Sequence, residues 1–336
     1  MNRLRSLLAS MPGPSTEAGD AVRARAADIL RPAGALARLD DLAAWVAEWQ
    51  GSAVPAVHRP AALIFAADHG VAAAGVSAYP IEVTAAMLAA YEAHRSTVTA
   101  FAAVVGASAR AVDVGVGRPT GDLRVEPALS VERFAECVAA GVAAVDALDA
   151  DVDLLVVGEM GIGNTTAAAA VTAALLGGDP AEWVGRGTGV DDDGLARKRA
   201  AVAAGVSRLV AVGVTDPLEV LRQLGGAELV ALAAAVVAAR HRGLPVLLDG
   251  YVVTAAVLPL AAAVPDALAH CRAGHCSAEP GHRRLVQRLG MEPLLDLGMR
   301  LGEGSGALAA VPLVQMACAG ITDVPTFAEW FGPTPT

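Results

Sequence analysis

Three things are scarce in this chain of 336 residues, and each scarcity closes off a class of function. Basic side chains are outnumbered, 25 Lys and Arg against 35 Asp and Glu, for a formal charge of −10. A nucleic-acid surface needs clustered cations to neutralise phosphates, so the balance predicts no nucleic-acid partner. It does not bear on a small anionic substrate, which needs only backbone N–H groups and one or two local cations. Long apolar runs are missing too. The stretches Leu229 to Ala239 and Val252 to Val264 fall short of the ~18 apolar residues a bilayer span requires, and the second contains Pro259. The N-terminal "MNRLRSLLASMPGPS" has too short an apolar stretch for a secretory signal. The expectation is a cytoplasmic chain with no membrane span.

Cysteine is the third scarcity. Cys137, Cys271, Cys276 and Cys318 form no CxxC pair. The segment "HCRAGHC", His270 to Cys276, matches no common structural zinc spacing, and it reads as buried thiols with a polar His beside a strand end. No metal and no cofactor is expected. There is no repeat of fixed period and no low-complexity linker, and only the tail "GPTPT" stands outside the expected packed structure.

What is abundant is apolar. Hydrophobic residues make up 54% and charged residues 18%, so helices must bury much of their surface against protein. From Thr16 to Gly51 the spacing is helical, broken at "RPAG" and resumed in "LARLDDLAAWVAEWQ". Short apolar runs without alternation follow: "AALIFAADHG", "ARAVDVGVG", "DLLVVGEMG", "LPVLLDGY" and a fifth at "ALAHCRAGH". Continuous apolar strands separated by alanine-rich helical stretches are what a parallel sheet covered on both faces requires. The fold class is therefore α/β: a parallel Rossmann-like sheet with helices on both faces. Residues 60–292 are expected to form the catalytic α/β domain, and residues 1–59 with 293–336 a smaller helical domain. Ligands of such sheets bind beyond the carboxyl ends of the strands, where this chain carries Asp68, His69, Asp113, Glu159, Asp249 and His275.

Five segments carry candidate chemistry. "GEMGIGNTTAAAA" leaves a strand and enters a helix. Gly161 and Gly163 permit close backbone approach, and Asn164, Thr165 and Thr166 offer donors to an anion, although the segment is neither a Walker loop nor a dinucleotide fingerprint. "GRGTGVDDDGLARK" is a second glycine loop, with Gly187 and Gly189; Lys198 and Arg197 are the cations near it. "DHGVAAAGVSAYP", with Ser77 and Tyr79, is long for a connection in a compact domain. "GHCSAEPGH" combines His275, Glu279 and His282 and reads as a polar helix cap more readily than as a metal site. "LGEGSGA" strands one carboxylate, Glu303, between glycines, either as a surface turn or as an acid aimed into a cleft.

Together these segments resemble the nicotinate-nucleotide–dimethylbenzimidazole phosphoribosyltransferases. The resemblance covers nearly the whole chain: besides the segments above, "EVT", "VDVGVG", "LGGAELVAL", "PVLLDGYVVTAA", "SAEPGHRRLVQRLG" and "PLLDLGMRLGEGSGA" occur in the family's order. It implies attack of a benzimidazole ring nitrogen on C1′ of nicotinate mononucleotide, with inversion, giving α-ribazole phosphate and nicotinate. The leaving pyridinium departs with its electrons and needs no general acid; the attacking ring's N–H becomes acidic, and one carboxylate suffices as general base. By the resemblance that carboxylate is Glu303. Gly161, Gly163, Asn164 and Thr165, the second loop through Gly187 and Gly189, and Lys198 hold the phosphate. Glu159 and Asp249 lie near the ribose or reacting centre, Ser77 and Tyr79 line the base pocket, and a homodimer is implied. This chain departs from the family's usual Gln at Ile81, on the base-binding side, and from a Gly-Gly-Ala-Ala-Ile-Asn-like segment at "HRSTVT" (His94 to Thr99). A non-catalytic nucleotide- or azole-binding paralogue and a nicotinate-nucleotide nucleosidase are the competing readings.

Overall fold

The computed structural model describes residues 1–332; the last four residues of the tail singled out above lie outside the described residues. Five strands form one sheet: β1 (Pro60–Ala67), β2 (Ser108–Gly115), β3 (Leu154–Met160), β4 (Val246–Leu248) and β5 (Cys271–Ala273). All pair in parallel in the order β2-β1-β3-β4-β5. Each coincides with one of the five apolar runs of the sequence, β1 and β2 beginning one residue earlier. The chain leaves β1 toward one edge and β3 toward the other, so the switch point lies between them, where a parallel sheet opens a crevice.

Strand side chains alternate between two apolar clusters. Leu63, Phe65, Leu155, Val157 and Leu248 enter one, and Ala62, Ile64, Leu154, Val156 and Leu247 enter the other. That two-sided burial is why the strands read as unbroken apolar runs. The first cluster holds helices Val131–Asp146, Asn164–Leu176, Ala227–His241 and Tyr251–Ala263. The second holds Arg38–Gln50, Thr97–Val104 and Ser305–Thr322.

Helix Asn2–Ala9 is not singled out by the sequence, and Ser305–Thr322, although inside the expected helical layer, does not read there as a long apolar helix. Asn2–Ala9 forms because Leu4 and Leu8, one turn apart, bury together in the first cluster. Ser305–Thr322 is, by length and composition, apolar enough to cross a membrane, which scanning for unbroken apolar runs passes over. It is a core helix here, with Leu308, Val311, Val314 and Ile321 fully buried.

Candidate active site

The turn that carries Glu303 is wound left-handed. Gly302, Glu303 and Gly304 have φ of +85°, +66° and +88°, a conformation that costs a non-glycine residue about 1–2 kcal/mol. A Cβ on Gly302 would come within 2.7 Å of Glu159 Oε1, so glycine is required there by contact as well as by φ. Gly158, inside β3, does the matching work from below: a Cβ on it would overlap the backbone of Glu303 and Gly304. The turn therefore docks onto the strand, and Glu303 N–H donates to Glu159 O at 3.2 Å. Although flanked by glycines, Glu303 is only 5% exposed, and its Oε2 has no hydrogen-bond partner. Burial pushes its pKa up and the charge of Asp249 adds to that, while the Tyr91 hydroxyl and the Val98 N–H face the carboxylate and oppose it.

Asp249, at the end of β4, is wholly buried. Its Oδ2 accepts from Gly304 N at 3.1 Å and its Oδ1 from Ala307 N at 2.9 Å. It is thus the N-terminal cap of helix Ser305–Thr322, supplied from another element because the N-cap residue, Gly304, has no side chain. His275 Nε2 lies 3.4 Å from Asp249 Oδ1. Glu159, at the end of β3, accepts from Asn164 Nδ2. Its pKa is raised to about 8, chiefly by burial, then by the charges of Asp249 and Glu228.

The opposite end of the mouth is organised around a cation. Lys198, on helix Asp192–Ala211, is 1% exposed and donates to Thr165 Oγ1 at 2.8 Å. Burial lowers its pKa to about 8, with Glu279 pulling the other way. Thr165 lies in the first turn of helix Asn164–Leu176, whose N-cap Gly163 (φ +98°) leaves the helix start without a side-chain cap. A cleft between the Glu303 turn and the start of helix Asn164–Leu176 is lined by Glu159, Gly161, Asn164, Thr165, Gly187 and Gly302 among others. A smaller pocket adjoining it reaches Ser77 and Lys198.

Several sequence candidates sit differently. Gly187 and Gly189 are left-handed, at φ +56° and +120°, and Gly187 N–H already donates to Glu279 Oε1 at 2.8 Å. Arg197 turns away to Gly75 O. Tyr79 is half exposed and Ile81 half-buried. His282 has both ring nitrogens engaged, Nδ1 by Ser277 N–H and Nε2 by Thr254 Oγ1. The segment is not the polar helix cap expected, since helix Pro280–Arg288 has no side-chain cap and its N-cap Glu279 turns to Gly187 instead. The four cysteines are buried.

Sequence reading missed Arg300, Tyr91 and the buried pair His69–Glu228. Arg300 lines the cleft with Nη1 3.4 Å from Gly187 O; its place three residues before Glu303 was the available signal. His69 Nε2 and Glu228 Oε1 stand 2.5 Å apart beneath Gly161; only the acid inside "LGGAELVAL" hinted at it.

Glycine turns backed by a buried lysine lie across the mouth of a parallel sheet from a group of buried carboxylates, Glu159, Asp249 and Glu303, and the class that this fold and site define is an α/β group transferase. Residues 11–330 match a family model described as Phosphoribosyltransferase. A relative from Methylocella silvestris is 49% identical over 98% of this chain and 95% of its own length, and one from Mesorhizobium japonicum is 48% identical over 98% and 97%. Both are named nicotinate-nucleotide–dimethylbenzimidazole phosphoribosyltransferase. The crystal structure of CobT from Thermus thermophilus superposes with a TM-score of 0.89 at 41% identity, covering 95% of this chain and all of that one. The chain belongs to the nicotinate-nucleotide–dimethylbenzimidazole phosphoribosyltransferase family.

Proposed function

We propose that the protein transfers the 5-phosphoribosyl group of nicotinate mononucleotide to 5,6-dimethylbenzimidazole or a related azole, for the nucleotide loop of cobalamin. The observation that carries the reading is the Glu303 carboxylate, buried at the mouth with one oxygen unpartnered. The azole nitrogen forms the bond to C1′ as the bond to the pyridinium nitrogen breaks, and that electron pair leaves on nicotinate. The azole N–H proton passes to Glu303, whose burial strengthens it as a base. No group is needed to protonate the leaving ring.

The phosphate end is assigned to the open start of helix Asn164–Leu176, with Gly161, Gly163, Asn164, Thr165 and Lys198. A helix N-terminus with free N–H groups and a buried cation beside it favours a phosphate. Gly187 and Gly189 shape that end, and Glu279 holds Gly187 N–H. Glu159 lies between the two ends, near the ribose. Asp249 serves by holding the Glu303 turn. Ser77, Tyr79 and Ile81 are assigned to the base side.

The reading extends to a cytoplasmic homodimer, as the family resemblance implies. Residues 60–292 act as the catalytic unit, with residues 1–59 and 293–336 as a helical layer. Supporting this division, helices Arg38–Gln50 and Ser305–Thr322 share one apolar cluster; helix Asn2–Ala9 packs in the other.

The test is nicotinate release from nicotinate mononucleotide, with and without dimethylbenzimidazole. Release that requires the azole and yields α-ribazole phosphate is expected. Azole-independent release marks a nucleosidase, and no release a binding protein.

A further inference from the structure

Glu303 does not stand alone in its corner of the mouth. Tyr91, in the last turn of helix Val83–Glu92, is 3% exposed and packs in the same apolar cluster as Leu308 and Val311 of the helix that Glu303 precedes. A phenol buried among apolar groups needs a hydrogen-bond partner. The Tyr91 hydroxyl makes no hydrogen bond in the structure, and neither does Glu303 Oε2, although the two groups lie close enough for each to shift the other's titration. Two orphaned polar groups, one able to donate and the other to accept, therefore share one buried site.

We propose that Tyr91 is a positioning residue for the general base: its O–H donates to the Glu303 carboxylate and fixes which oxygen faces the azole N–H. The inference rests on the reading of Glu303 as that base. Burial and the nearby carboxylates raise the phenol's own pKa, so it stays a donor throughout the working range. The groups facing Glu303 divide into two sets. Asp249 after β4 and Glu159 at the end of β3 repel a negative charge there, while the Tyr91 hydroxyl and the Val98 N–H, in the first turn of helix Thr97–Val104, favour it. Removing the phenol leaves the repulsive set weakly opposed. The carboxyl pKa, already raised by burial, then climbs further, and the base is lost to protonation at a higher pH.

The experiment is the pH profile of kcat/KM for Tyr91→Phe, which keeps the ring and its packing. A hydrogen bond to a charged group contributes about 1.5–3 kcal/mol, and 1.36 kcal/mol is tenfold. The variant should be about tenfold slower or more on the acid limb and equal to wild type at pH above that limb. Placing 3-fluorotyrosine at position 91, a stronger donor of nearly the same shape, should move the limb the other way, to lower pH. Profiles that superimpose on wild type, or a loss uniform in pH, overturn the proposal. Glu303→Gln is the control: it should lack the acid limb altogether. If Glu303→Gln keeps the limb, the assignment of the base fails; if it loses the limb while Tyr91→Phe leaves it in place, only the role of Tyr91 fails.

Discussion

Two helices of this protein begin alike and are used differently. Asn164–Leu176 and Ser305–Thr322 each start behind a left-handed glycine, Gly163 at φ +98° and Gly304 at φ +88°, and neither glycine can cap the helix it precedes. The positive end of the helix dipole is left at each start, with some first-turn N–H groups taken by the preceding glycine turns, as Asn164 N by Gly161 O and Ser305 N by Gly302 O. At Ser305–Thr322 a buried carboxylate from another strand, Asp249, takes two further donors. At Asn164–Leu176 no side chain does so, and Lys198 stands next to the opening. On the proposed reading, the same local sequence device serves as a rigid platform for the general base in one place and as an anion seat in the other. What decides between them is whether the fold brings a carboxylate or an ammonium to the helix start.

The comparison is broken most severely by removing the built-in cap. Asp249→Asn can accept only one of the two N–H groups and turns a donor toward the other, so we expect about 2–4 kcal/mol of lost stability in urea unfolding. A steep fall in kcat should accompany it, because the Glu303 turn loses its anchor. If Asp249→Asn unfolds like wild type and only KM changes, Asp249 is a ligand contact and not a cap.

Lys198→Met tests the open helix start. Loss of one charge-assisted contact to phosphate should raise KM for nicotinate mononucleotide by about 10–100-fold with kcat little changed. A collapse of kcat at constant KM would place Lys198 in the chemistry instead.

The same lysine gives a pH signature. With its pKa lowered to about 8 by burial, free enzyme holds the cation below that pH and loses it above. KM for the nucleotide should therefore climb as pH passes upward through about 8, and the climb should be absent in Lys198→Met. An equal climb in both proteins assigns it to another group, Glu159 first.

The smallest effect is expected at the base side. Ile81→Gln restores an amide that selects among azoles, and it should sharpen the preference for dimethylbenzimidazole over benzimidazole and adenine by only a few-fold in kcat/KM. An unchanged ranking would remove Ile81 from the pocket.

The contrast between the two helix starts also marks how far the sequence could be read. All five strands were legible: two-sided burial writes β1, β3 and β4 as plain apolar runs, while β2, an edge strand carrying exposed Arg110 and Asp113, kept enough apolar residues to read as one. The acids at the carboxyl ends followed from that. Gly163 and Gly304 were legible as special positions, since no other residue tolerates those turns cheaply. The first reads as a phosphate cradle and the second as a surface turn or a cleft acid; what is not legible is the partner that caps the second. Asp249 lies 55 residues from Gly304 and meets it only because β4 and the start of Ser305–Thr322 adjoin in space. Tyr91, Glu228 and Arg300 reach the mouth through packing, from segments whose local pattern is that of ordinary helices and loops. Asn2–Ala9 escaped notice for a similar reason: two leucines a turn apart are a weak signal until a partner surface exists.

The central claim is that Glu303 moves the proton, and Glu303→Gln tests it most directly because it keeps the shape of the side chain and removes the base. Measured across pH, kcat should fall by about 10²–10⁴-fold while binding of nicotinate mononucleotide and of the azole changes little, with some turnover surviving through proximity and the good leaving group. Turnover near the wild-type rate at every pH would contradict the account and reduce Glu303 to a turn residue, leaving Glu159 as the next carboxylate to test.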